Sequence, residues 1–143
     1  MRISAKAEYA CVAMLELAAS FTDPQPLRIK SIADAHGIPQ RFLVQILLQL
    51  KTAGLVASVR GAAGGYQLTR APEQISLAEV INAIDDLTPR SELGKATRTP
   101  VVEALLAVWR QIFQQEQELL EELNLAELLR RARTQSDIAS YQI

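Results

Sequence analysis

The chain has 143 residues, 49% of them hydrophobic and 22% charged, which suits one globular domain and excludes a disordered polymer. No apolar run approaches the ~20 residues of a bilayer span, and a lone cysteine, Cys11, excludes an internal disulfide framework. The net charge of -1 gives no bulk attraction to nucleic acid. The charge is unevenly placed, however, with eight Lys and Arg against six Asp and Glu in residues 1–84, and seven against ten thereafter. This weakly favours an N-terminal nucleic-acid surface. Low aromatic content and abundant Leu, Ala and Gln point to a mainly α protein. The start, MRISAKAEYA, lacks the uninterrupted apolar segment of a signal peptide, so a cytoplasmic protein is expected.

Ala5 to Ser20 is predicted as the first helix, with Ala10, Ala13, Met14 and Leu17 on one face and Tyr9, Val12 and Leu15 widening it. Cys11 lies within it and reads first as a packed small residue. Its sharper reading is a redox-sensitive thiol, but Glu8 opposes any help that Lys6 gives to ionisation. After a polar turn at Phe21 to Pro26, Arg28 to His36 forms a short helix with Ile29, Ile32 and Ala33 inward, ended by Gly37. His36, at its end, suits the helix dipole better than a metal.

The next stretch, from Ile38, reads as a helix followed by a hairpin. Leu43, Ile46, Leu47 and Leu50 have the spacing of one helical face, leaving Gln40, Arg41, Val44, Gln45 and Gln49 outward before Gly54 stops the helix. Short helix, Gly-containing turn and longer helix match a helix-turn-helix, with a generic helical hairpin as the alternative. Two β-prone runs, LVASV and GYQLT, flank RGAAGG. That loop lacks Gly-Lys-Ser/Thr and precedes a strand, so it is not a phosphate-binding loop. With Arg60 at its tip it outlines a wing that can enter a minor groove. Gly61, Gly64, Gly65 and Tyr66 are assigned to the same DNA-binding surface.

Ser76 with Glu79 forms a capping box for a helix to Leu87, with Leu77, Val80, Ile81 and Ile84 inward. A polar break follows at Thr88 to Thr99. Pro100 then starts a long helix whose apolar positions are Val102, Leu105, Trp109, Ile112, Phe113, Leu120 and Leu123. A helix this long beside a small domain needs a partner surface, most simply its twin in a second subunit. LAELLRR forms a last short helix, and the tail from Thr134 is expected to fray. The fold expected is mainly α with a small β-hairpin. It comprises a winged helix-turn-helix domain (1–87), a linker loop (88–99), dimerisation and C-terminal helices (100–133) and a flexible tail (134–143).

An enzyme is a poor fit, because one His and one Cys offer no nucleophile–base pair. The acids Glu116, Glu118, Glu121 and Glu122 read as a solvated helix face. The chain resembles the Rrf-two type of bacterial winged-helix regulators, the family of IscR, NsrR and CymR. The resemblance rests on MRISAKAEYA with AMLELA, IADAHGIPQRFLVQIL, AGLVASVRGAAGGYQL, ISLAEVINAID and the Trp109 helix ending in LNLAELL, so it covers nearly the whole chain. It implies a homodimer in which the long helices pair and the first helix packs across the interface. It also implies an imperfect palindrome in double-stranded DNA, read in major grooves about 34 Å apart. Gln45 and its neighbours would read bases, Arg60 would enter the minor groove, and Lys30, Gln40 and Arg41 would hold the backbone.

Two departures from that family stand out. Many relatives carry an acidic residue where this chain has Val44, which can touch a thymine methyl but cannot accept from cytosine N4. Cluster-binding relatives carry three cysteines in the loop that here runs Pro89 to Pro100 without one, and Leu106 stands where several have a histidine. Glu8 matches a carboxylate ligand of some relatives, but one carboxylate holds no cluster. The expectation is a regulator, a repressor by promoter occlusion, with no iron–sulfur cluster and no other cofactor. Its control would fall to a metabolite or a partner protein, ahead of oxidation of Cys11. The alternative is a helix-turn-helix interaction adaptor that no longer reads DNA.

Overall fold

The computed structural model describes residues 1–95 and 97–141. Helix α1 (Ala5–Ala19) starts where the Ser4 hydroxyl accepts from the Ala7 amide at 3.0 Å, satisfying a donor the first turn leaves open. Helix α2 (Ile29–His36) ends at Gly37, whose φ of 65° is the left-handed conformation that turns the chain into α3 (Gln40–Thr52). Strands β1 (Val56–Val59) and β2 (Gly65–Leu68) pair antiparallel with Val56 opposite Leu68 and Val59 opposite Gly65. Leu27 and Tyr66 exchange backbone bonds of 2.9 and 2.7 Å, which ties the hairpin to the segment leading into α2.

Helix α4 (Leu77–Ile84) has the expected capping box, with the Glu79 amide donating to Ser76 Oγ at 3.2 Å. It ends three residues before the expected Leu87. Asp85 is extended, and its carboxylate accepts from the Ser4 amide at 2.9 Å and the Ser4 hydroxyl at 2.6 Å. The following stretch holds a short helical turn at Glu92–Lys95. Helix α5 (Pro100–Glu122) starts at Thr99, whose hydroxyl accepts from the Val102 amide at 3.2 Å.

The chain then returns to the first domain. The Leu77 amide donates to Leu123 O at 2.8 Å and the Leu125 amide to Ile75 O at 3.0 Å. Asn124 Oδ1 accepts from the Glu127 amide at 2.8 Å and opens helix α6 (Leu125–Tyr141). The expected frayed tail is corrected over 134–141, which continue this helix; residues 142 and 143 lie outside the described residues.

The core gathers Met14 and Leu17 of α1, Ile32 of α2, Leu43, Ile46, Leu47 and Leu50 of α3, Val56, Leu68, Ile75 and Val80. Leu125 of α6 is fully buried in that same core, with Leu129 packed against it. The boundary expected after residue 87 is therefore crossed, because α6 completes the core of the winged domain. No helix among the described residues is long and apolar enough to cross a membrane.

Helix α5 divides its apolar surface. At about 100° per residue, Val102, Leu106, Phe113 and Leu120 fall on one side of Trp109 and Val101, Leu105, Val108, Ile112 and Leu119 on the other. The first group turns inward, and Leu120 is 7% exposed in a cluster with Ala7, Ala78 and Ile81. The second group is exposed, from Leu105 at 38% to Val101 at 78%. Leu120 is thus corrected from a subunit contact to a core residue, while Val102 and Phe113 are half-buried. Val101, Val108 and Leu119 join the exposed side; spacing sorts the two sides but does not say which of them the chain's own core covers.

Candidate nucleic-acid interface

Helix α3 is held by its inner face, since Leu43, Ile46, Leu47 and Leu50 are fully buried. Phe42 adds an edge-to-face contact with Tyr9 of α1, ring centroids 5.7 Å apart. His36 Nε2 lies 2.8 Å from Glu16 Oε2 and links α2 to α1. A rigid mount of this kind is what a reading helix needs. The outer face then presents Gln40, Arg41, Val44 and Gln45 exposed, as expected. Gln49, expected outward, is half-buried. Leu48, assigned to neither face from sequence, is 59% exposed.

The wing is braced against this helix. Lys51 Nζ donates to Ser58 Oγ at 2.8 Å, joining the end of α3 to β1. The Arg28 guanidinium donates to Ala62 O at the hairpin tip. Sequence alone does not single out Arg28 or Lys51, because their partners lie on other elements. Arg60 and Gly61 are exposed at the tip.

Gly64, Gly65 and Tyr66 have structural duties in the hairpin. A Cβ at Gly64 would sit 2.3 Å from Val59 O, and one at Gly65 would sit 2.3 Å from Leu27 O. Tyr66 is half-buried against the core. These residues let the hairpin close and lie against Leu27, so they position Arg60.

The cations differ in availability. Lys30 Nζ donates to Asp34 at 2.8 Å, and that bond raises the Lys30 pKa. Both side chains are well exposed, so the contact is weak and exchangeable. Arg41 and Arg60 have no carboxylate partner among the described residues. Two guanidinium groups without a carboxylate partner, one a helical turn before Gln45 on α3 and one at the tip of the wing, are thus left exposed. The arrangement can hold a phosphate backbone while amide and apolar side chains meet base edges.

Donors for a metal are sparse. Among the described residues no three His, Cys, Asp or Glu side chains gather as a metal-binding group. The thiol of Cys11 is half-buried, and its pKa is pushed up to about 11 by burial, then by the charges of Glu8 and Asp85. Leu106, the position that the resemblance pairs with a ligand histidine, is an apolar residue and buried. This donor set does not fit an iron–sulfur cluster, which needs several thiolates.

A family profile, Rrf2, described as an iron-dependent transcriptional regulator, matches residues 3–131. A helix-turn-helix-type transcriptional regulator of Synechocystis sp. is 36% identical over 135 residues, which is 94% of this chain and 91% of that protein. CymR, the global cysteine regulator of B. subtilis, superposes with a TM-score of 0.79 at 31% identity, covering 90% of this chain and 95% of that one. IscR of T. potens superposes with a TM-score of 0.76 at 32% identity, covering 92% and 88%.

Proposed function

Because the chain belongs to the Rrf2 family of transcriptional regulators, we propose that it binds an imperfect DNA palindrome as a homodimer and represses by occluding a promoter. The observation that carries this reading is the pair of exposed guanidinium groups without a carboxylate partner among the described residues, Arg41 on the outer face of α3 with Gln45 and Arg60 at the tip of the wing that Lys51 ties to α3. Gln45 bonds adenine through N6 and N7, Arg60 enters the adjacent minor groove, and Arg41, Gln40 and Lys30 hold phosphates. The exposed apolar side of α5 is the surface a second copy covers. Two copies related by a dyad place their α3 helices about 34 Å apart.

Control runs without an iron–sulfur cluster, since one half-buried thiol is an inadequate ligand set. A metabolite or a partner protein is the signal, ahead of thiol oxidation, because the raised Cys11 pKa keeps the reactive thiolate scarce.

The test is a gel shift and footprint of the purified protein on DNA upstream of its own gene, against scrambled DNA, at two salt concentrations. A palindromic footprint that survives the higher salt is expected. A variant carrying Gln45→Ala and Arg60→Ala should lose it. Binding that falls equally on both DNAs with salt would reduce the reading to phosphate attraction.

A further inference from the structure

We infer that Val44 and Leu48 form an apolar reading pair that contacts the 5-methyl groups of thymines in the major groove. The inference rests on the DNA-binding reading above and names the base chemistry this helix selects. The outer face of α3 is built from Arg41, Val44, Gln45 and Leu48, which fall within about 100° of arc around the helix axis. Two of the four are large and apolar, and both are open to solvent, Val44 at 45% and Leu48 at 59%. They are four residues apart and therefore adjacent on the helix surface.

The pair is not overflow from the core. The core-facing positions Leu43, Ile46, Leu47 and Leu50 are filled and fully buried. Neither Val44 nor Leu48 belongs to either buried cluster, and the flanking Arg41 and Gln45 are exposed as well. Such a face, entering a groove, offers two kinds of contact. Gln45 supplies paired hydrogen bonds, whereas Val44 and Leu48 can neither donate nor accept. Thymine is the base that presents an apolar group on the major-groove edge. Opposite the pair, a cytosine amino group would lose water without gaining a partner, which disfavours it. The half-site should therefore combine an adenine facing Gln45 with one or more thymines facing Val44 and Leu48.

Deoxyuridine provides the discriminating probe, because it removes the methyl and leaves the O4 acceptor and the base pairing in place. The full-length protein would first select sites from a random duplex library. Each enriched thymine would then be replaced by deoxyuridine, and Kd measured by fluorescence anisotropy for the wild type and for Val44→Ala with Leu48→Ala. Both positions are exposed and alanine favours helix, so the variant should fold, which circular dichroism checks.

The expected result is at least one thymine per half-site whose replacement weakens the wild type about threefold to tenfold, and the double variant not at all. An equal penalty in both proteins would assign the methyl effect to DNA shape and overturn the inference. A selected operator with no methyl-sensitive thymine would overturn it too, leaving the regulator reading intact. Enrichment of no sequence, with binding that collapses in salt, would overturn the regulator reading and this inference together.

Discussion

Cys11 sits on α1 where both apolar clusters meet, and its thiol is pushed up from 9.0 to about 11 by burial and by Glu8 and Asp85. A raised acid pKa favours the neutral form in the folded state. Its contribution is whole below pH 9 and is lost as pH rises through about 11, because the unfolded chain ionises first. The wild type should therefore lose up to about 2 kcal/mol more stability than Cys11→Ala between pH 8.5 and 11, by urea titration at each pH. At neutral pH the folded thiol should resist alkylation and react only after unfolding. Rapid labelling of the folded protein at neutral pH would contradict the burial argument. Gly65 makes a second residue-scale prediction. Replacing it with alanine would drive a Cβ to 2.3 Å from Leu27 O, so the strand must shift. Gly65→Ala should cost about 1–3 kcal/mol and weaken operator binding, read by thermal melts and anisotropy. The sequence shows a glycine-rich loop here but not this close approach, because Leu27 comes from a segment far earlier in the chain.

At the scale of elements, helix starts were legible and two ends were not. Ser76 with Glu79, and Pro100 after Thr99, are local chemistry that sequence displays directly. The end of α4 depends on Asp85 meeting Ser4, 81 residues away, which no local pattern reports. Helix α6 outruns its expected length, because polar composition alone does not distinguish a frayed tail from a helix held by side-chain pairs. Its opening turns are in fact laced by Glu127, which accepts from Arg130 and Arg131 at i+3 and i+4, and Thr134 bonds back to Arg130 O at 3.0 Å. The apolar face of α5 is legible from spacing, but not which half of it the core covers. Periodicity locates a stripe and does not say whether the chain's own core or another surface covers it. Leu120 tests the division. Leu120→Ala should cost about 2–4 kcal/mol, as deletion from a packed cluster does, and leave the oligomeric state unchanged. Urea titration and sedimentation together measure both. A change in oligomeric state with little loss of stability would return Leu120 to the subunit interface.

At the scale of the whole molecule, the exposed half of α5 and the sparse cations of the reading surface belong to one argument. On α3 and the wing, one copy offers two guanidinium groups, Arg41 and Arg60, without a carboxylate partner among the described residues, in a chain of net charge -1, too few for tight binding of a single half-site at physiological salt. In the dimer proposed above, a second copy on the α5 surface would double the contacts and make the second half-site effectively intramolecular, multiplying affinity without any new residue type. Leu105 and Ile112 lie near the middle of the exposed half and carry no core duty. A variant with Leu105→Glu and Ile112→Glu should therefore keep its helical circular dichroism, sediment as a monomer, and lose most operator affinity. The footprint test separates the causes. If pairing links the two half-sites, shifting one half-site by half a helical turn should weaken the wild type sharply and leave the monomeric variant's residual binding unchanged. If both proteins ignore the spacing, α5 does not set the distance between reading helices, and its apolar side must serve another partner.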